Sequence, residues 1–208
     1  MKESRVYFAD VAENWDEMRA GYFTEAMRDA AIARANLPPG AVVADVGTGT
    51  GFMIQGLATR ATAVYGFDES PEMLAIARRN LGTFSNVKLR EARGDMLPIP
   101  DGSLDAVFGN MYLHHTPDPA AAIAELTRVL RPAGKLVLID MDAHNQEWMR
   151  EAMADRWLGF RRDDIRAWYA AAGLTDVAVE CAQGDCRPAT PGGEKLVLSI
   201  FVAYGQKG

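Results

Sequence analysis

Two hydrophobic rhythms alternate along the chain. Short apolar runs bounded by glycine, proline or an acid occur at Val42–Val46, Ala63–Phe67, Val87–Arg90, Leu104–Gly109 and Gly134–Asp140. Runs of that length, rich in valine, leucine and isoleucine, predict strands buried on both faces. Between them, apolar residues recur every three or four positions, which predicts helices. Tyr7, Val11 and Trp15 form one such face, and Tyr22, Phe23, Met27 and Ile32 a second, so residues 3–36 are expected to be helical with an interruption at Gly21. Further helices are expected at Pro71–Leu81, Ala120–Leu130, Gln146–Trp157 and Ile165–Ala172. Two late strands, Val177–Cys181 and Leu196–Ala203, should pair across the Pro/Gly-rich loop at 187–193. Strands alternating with helices through residue 140 predict an α/β fold: a doubly wound, mostly parallel sheet with a reversed strand at one edge. The break at Leu37-Pro38-Pro39-Gly40 divides the chain into an N-terminal helical cap (1–36) and a main domain (37–208).

Composition narrows the function classes. The 208 residues are 49% hydrophobic and 24% charged, enough for one domain with a full core. A net charge of −6 and the absence of a basic run argue against a nucleic-acid partner. No stretch approaches the roughly 18 apolar residues of a membrane span, and the first residues lack a signal-peptide core, so the expected location is the cytoplasm. Cys181 and Cys186, the two cysteines, have no zinc spacing, and no metal is expected. A homodimer stays open.

The candidate chemistry begins at Val42–Met53, where the first strand runs into Gly47, Gly49 and Gly51 and then into a helical pattern. Strand, glycine loop and helix start form a nucleotide-cofactor site. Asp45 sits just ahead of the loop, where a carboxylate repels a pyrophosphate and attracts a cationic ligand. Position 52 is Phe, so the G-x-G-x-x-G dinucleotide pattern is incomplete. The loop therefore favours S-adenosylmethionine (SAM) over NAD. Asp68 follows the second strand at about the distance where an acid meets a ribose, or it begins a loop ahead of Ser70 and Pro71. Asp95 and Met96 either read and cover an adenine or belong to an ordinary loop.

Beyond the fourth strand, Asn110 to Asp118 should wall the site, because ligands lie outside the carboxyl ends of parallel strands. His114 and His115 point different ways; one is expected to be structural and the other a general base. Asp140, Asp142 and His144 reach the same rim, where they would cap the helix from Gln146. A substrate pocket is expected between the N-terminal helices and the segments after strands four and five, with Trp15, Met111, Tyr112 and Trp148 making it apolar. Candidate acid/base residues are His115, then Tyr22 and His144.

The set Asp45-Val-Gly47-Thr-Gly49-Thr-Gly51, Asp68, Gly94-Asp95-Met96 and Leu130-Arg-Pro-Ala-Gly-Lys135 resembles the class I SAM-dependent methyltransferases over roughly residues 40–204. The resemblance implies a Rossmann-like, seven-stranded sheet ending in an antiparallel hairpin. It also implies a cofactor set of Asp45, Gly47, Thr48, Gly49, Gly51, Asp68, Glu69, Met73, Asp95, Met96 and Asn110. Leu113-His-His-Thr-Pro-Asp118 is similar to the ubiquinone/menaquinone-biosynthesis type, a small-molecule branch. Asp140 to Met149, with Trp157-Leu-Gly-Phe160, is similar to methyltransferase modules fused to arsenic-responsive repressors, although the several cysteines that hold arsenite are absent. The expected activity is in-line transfer of the sulfonium methyl to a small-molecule acceptor. Two alternatives remain from other classes: a non-catalytic SAM sensor, and an NAD-dependent oxidoreductase, against which Asp45 and the lack of a Tyr-x-x-x-Lys pair argue.

Overall fold

A computed structural model describes residues 4–20, 23–186 and 196–208. Gly21, Tyr22 and the loop at 187–193 lie outside them, so the interruption expected at Gly21 and the role expected of Tyr22 are not addressed by the structure. In chain order the elements are α1 (Ser4–Val11), a 3-10 turn (Ala12–Asn14), α2 (Trp15–Arg19), α3 (Glu25–Arg34), β1 (Val42–Val46), α4 (Phe52–Leu57), β2 (Ala63–Asp68), α5 (Pro71–Asn80), β3 (Val87–Glu91) and β4 (Leu104–Asn110). After a second 3-10 turn (Leu113–His115) come α6 (Pro119–Arg128), β5 (Leu130–Met141), α7 (Met149–Ala152), α8 (Arg162–Ala171), β6 (Leu174–Cys186) and β7 (Leu198–Lys207).

The strands form one seven-stranded sheet in the order β3-β2-β1-β4-β5-β7-β6. Neighbours from β3 to β5 pair in parallel, and β7 runs antiparallel to both β5 and β6. The reversed strand is thus β7, one place in from the edge, and the edge strand is β6. This corrects the expectation of a reversed edge strand: the hairpin folds its second strand inward, where Ile200 to Ala203 are all buried.

Side chains on the central strands alternate between two cores. On β5, Val137, Ile139 and Met141 face a core with Met27, Ala31 and Ile32 of α3 and Phe52, Ile54 and Leu57 of α4. Leu136 and Leu138 face the other, with Ala122, Ile123 and Leu126 of α6 and Ile165 and Tyr169 of α8. Covering both faces is what a parallel sheet requires, and it leaves the carboxyl ends of the strands as the open rim. Of the described residues of the expected cap, α3 packs within the sheet's own core, while residues between 4 and 19 line the cavity. Ala12 of that cap packs on Met73 and Ile76 of α5.

The helix expected over Gln146–Trp157 shrinks to the single turn α7. Ala154 adopts φ 58°, and the N–H groups of Arg156 and Trp157 then donate to the His114 carbonyl, each at 3.1 Å. That tertiary pairing ends the helix and buries Asp155 at 1% exposure. Leu126, fully buried beneath the sheet, tests the second core. Leu126→Ala is expected to lower unfolding stability by about 2–5 kcal/mol through lost burial and a residual cavity, measured by urea denaturation.

Candidate active site

A cavity of about 380 Å3 opens at the carboxyl ends of β1, β2 and β4, beneath α1 and α2. Its floor is the glycine loop. Gly47, Gly49 and Gly51 all have positive φ, at 69°, 51° and 94°, a region costly to side chains bearing a Cβ. At Gly47 an added Cβ would also lie 2.6 Å from the Tyr112 ring, and at Gly94 1.9 Å from its hydroxyl. Tyr112 therefore packs down onto the loop's glycines, one reason for glycine at both positions.

Asp45 is 1% exposed at the end of β1. One oxygen accepts a 2.6 Å bond from the Thr48 hydroxyl; the other is buried with no partner. Burial pushes the carboxyl up to about 7, the Thr48 bond opposes this, and the nearby Asp68 adds to it. Asp68 has its two oxygens on the backbone N–H groups of Gly49 (2.8 Å) and Ser70 (2.9 Å), so it ties β2 to the glycine loop. Burial raises it to about 6 against those two bonds. Asn110 Oδ1 is a further buried atom without a hydrogen bond against the same cavity, and Arg19 Nε also makes none, although it pairs with Asp16 Oδ1 at 3.7 Å. Arg19 stacks on the Phe52 ring at 3.8 Å from its centroid, and its pKa is lowered by burial, with Asp16 opposing.

Buried polar atoms left unpaired cost about 1–3 kcal/mol each, so this set points to a ligand. Two oxygen acceptors and one guanidinium fit a zwitterionic amino-acid end: Asp45 and Asn110 for an ammonium, Arg19 for a carboxylate. That is the methionine end of SAM, whose cationic sulfonium also suits a buried carboxylate.

The remaining expected cofactor residues fall unevenly. Gly47, Thr48, Gly49, Asp68, Glu69, Met73, Asp95 and Asn110 line the cavity, and Gly51 caps α4 at the loop's end. Asp95 is engaged by Arg93 through two bonds of 2.9 and 2.5 Å, which hold its carboxyl below the usual range. Met96 is 72% exposed and outside the lining, which corrects the expectation that its thioether covers a ring there. A tight turn, with Met96 N–H donating to the Arg93 carbonyl at 3.2 Å, points it outward.

The other end of the cavity carries a second polar group. His114 is 3% exposed, with Nδ1 2.8 Å from Asp140 Oδ1 and Nε2 3.7 Å from Asp155 Oδ1. Burial lowers its pKa, but the charge and hydrogen bond of Asp140, with Asp155, outweigh that and lift it to about 9. Asp140, fully buried, also accepts the backbone N–H of His114 and of Met141. It caps no helix, contrary to expectation. Asp142 likewise pairs elsewhere, with Arg162 (2.7 and 2.6 Å) and Ser199 (2.5 Å). His115 lines the cavity with its ring edge-on to Phe8 at 4.9 Å and Nδ1 3.3 Å from the Ala154 carbonyl. Burial and the neighbouring His114 hold it well below the usual histidine range, so it is neutral. Asp155 Oδ2 is buried without a partner.

His144 and Trp148 are outside the lining. His144 Nδ1 accepts from Gln146 N–H at 3.3 Å, ahead of α7, whose N-cap Trp148 makes no side-chain cap bond, so the helix-capping role expected of His144 is not met either; Trp148 donates to Gln146 Oε1 at 3.1 Å. Both are corrected as cavity residues. Residues 143–148 hold no regular element, and the rim folds their side chains onto one another. Arg19 and Asp155 went unseen in the sequence; no spacing marks either, since a short helix and a left-handed turn carry them in. Asp16, also unsuspected, joins the cap to the loop by accepting from Thr50 Oγ1 at 2.6 Å and Asn80 Nδ2 at 3.0 Å.

Residues 44–138 match the sequence model of the family described as "Methyltransferase domain". The chain is thus similar to the class I SAM-dependent methyltransferases. SAM is the cofactor of that family. The chain is 33% identical, over 77% of its length, to 2-methyl-6-phytyl-1,4-hydroquinone methyltransferase of Arabidopsis thaliana, of which the match covers 48%. It is 36% identical over 66% of its length to demethylmenaquinone methyltransferase of Tropheryma whipplei, covering 59% of it. The chain thus spans about half the length of the relatives it matches. A SAM-dependent methyltransferase structure from Aquifex aeolicus superposes with a TM-score of 0.73 at 21% identity, covering 96% of this chain and 98% of that one, which speaks for the fold.

A cationic ligand favours ionised Asp45. Below about pH 7 that ionisation must accompany binding, so SAM affinity is expected to rise with pH up to about 7 and level off above it. Below about pH 6, Asp68 steepens the dependence. Asp45→Asn should weaken binding by about tenfold or more and remove the part of the pH dependence due to Asp45, as read by calorimetry from pH 5.5 to 8.

Proposed function

We propose that the chain is a SAM-dependent methyltransferase acting on a hydroxylated aromatic of the hydroquinone kind, carrying apolar substituents. The observation that carries the reading is the composition of the cavity beyond the cofactor end. Tyr7, Phe8, Trp15, Met111, Met149 and Met153 make its wall apolar and aromatic, and buried His114 and Asp155 form one polar cluster within it with half-buried His115. An apolar wall with few convergent polar groups suits a ring bearing a hydroxyl. The names of the relatives, a hydroquinone and a demethylmenaquinone methyltransferase, agree with it.

SAM supplies an already activated methyl group, so the protein's work is alignment and exclusion of water. Asp45, Asn110 and Arg19 would hold the amino-acid end, and the glycine loop with Asp68 the adjoining part. Phe8 and Trp15 of the cap would close over the substrate ring. His115 and Asp155 Oδ2 would receive the hydrogen bond of its hydroxyl, leaving the ring electron-rich towards the methyl. On its charge of −6 we read the chain as having no nucleic-acid partner, and we place it in the cytoplasm. Among the described residues no helix is long and apolar enough to cross a membrane.

Mass-spectrometric assay with SAM across a short-tailed quinol, a catechol, an amine, a thiol and arsenite tests the reading. Methylated quinol is expected. Product on the amine, thiol or arsenite alone overturns it, and SAM binding without turnover on any class favours the sensor. His115→Ala is expected to lower kcat/KM on the quinol by about tenfold or more, with SAM affinity unchanged within about twofold.

A further inference from the structure

We propose that His114, His115 and Asp155 bind a divalent first-row transition-metal ion at the substrate end of the cavity, with open coordination positions for a substrate oxygen. The role given to the ion rests on the hydroquinone reading above; the binding itself does not.

One ligand atom from each of the three residues lies within 4.8 Å of the other two, and His114 Nε2 is 3.7 Å from Asp155 Oδ1. With metal–ligand bonds of about 2.1 Å, a formed site spaces its ligands by about 3–3.5 Å, within reach of small side-chain adjustments. The surroundings are those of a ligand set. His114 has its Nδ1 held by Asp140 at 2.8 Å, and His115 its Nδ1 by the Ala154 carbonyl at 3.3 Å. Both rings are oriented by a partner on Nδ1, which leaves Nε2 as the coordinating atom. Asp155 is 1% exposed, lines the cavity, and has Oδ2 without a partner.

Two imidazole nitrogens and one carboxylate oxygen favour Mn2+, Fe2+, Co2+ or Zn2+ over Mg2+ or Ca2+. Three protein ligands leave further positions open, and the side on which they open is the cavity. A substrate hydroxyl bound there loses its proton to solvent water. The O–H electron pair stays on oxygen, and the ring becomes the more reactive partner for methyl transfer. With the ion bound, His115 and Asp155 act as ligands of the oxygen's metal rather than as its direct hydrogen-bond partners. The competing arrangement is a metal-free salt bridge, His114 between Asp140 and Asp155, which takes up no ion.

Titration of the chelator-stripped, full-length protein with Co2+, followed by its visible absorption and by elemental analysis after dialysis, decides between them. One equivalent of Co2+ with d–d bands is expected. Asp155→Asn and His115→Ala should each weaken uptake by about tenfold or more, while Cys181→Ser, on an exposed thiol outside the cavity, leaves it unchanged. SAM calorimetry on every variant confirms that it is folded. No uptake by the unmodified protein, equal uptake by the Asp155 and His115 variants, or uptake lost with Cys181 each overturns the site. Quinol methylation without Co2+ uptake removes the ion and leaves the proposed reaction standing. Uptake without turnover on any substrate class does the reverse.

Discussion

A carboxylate buried at the end of a central parallel strand is the constraint on which the site depends. Asp45 is out of water, with Thr48 on one oxygen and nothing on the other. Isolated, such a charge is costly, which is why its pKa moves towards neutrality. The strand ladder cannot relieve it, because β1 is hydrogen-bonded on both sides, to β2 and β4. Relief must come from the cavity. A cationic ligand is then favoured by the same burial that raises the pKa, which fits a sulfonium cofactor.

The rest of the rim keeps that environment closed and ordered. Asp68 binds Gly49 N–H, which holds the loop against β2. Tyr112 presses on Gly47 and Gly94 from the β4 side. The cap reaches the loop through Asp16 and Thr50, so α2 brings Trp15 and Arg19 over the cavity in one movement of chain. At the far end, Asp140 fixes His114 in turn. Asp16, Asp68 and His114 are therefore each positioned by a neighbour from a distant part of the chain. Asp45, Asn110 and Asp155 each keep an atom free for a ligand.

Legibility of the chain followed the range of the interactions. Local period alone located five parallel strands and the helices α5, α6 and α8 within a few residues, because buried strands and one-sided helices leave their pattern in sequence. The glycine loop was legible since positive φ at Gly47, Gly49 and Gly51 restricts residue choice. The helix over Gln146–Trp157 was misread, because its apolar spacing persists while the backbone turns away at Ala154 to pair with His114. Met96 and Trp148 were misplaced for a related reason: hydrophobicity says that a side chain can be buried, and a turn decides whether it is.

Strand period, loop glycines and a carboxylate at a strand end are local properties, so the five parallel strands, their open rim and the glycine loop are written in the chain itself. Tertiary structure alone decided the substrate end. His114, Asp140 and Asp155 stand well apart along the chain. They meet because β5 delivers Asp140 beside the turn that follows β4 and because a left-handed residue at 154 turns an acid into the cavity. Charge and hydrogen bonding act through space over a few ångströms, and no spacing rule along the chain records that proximity.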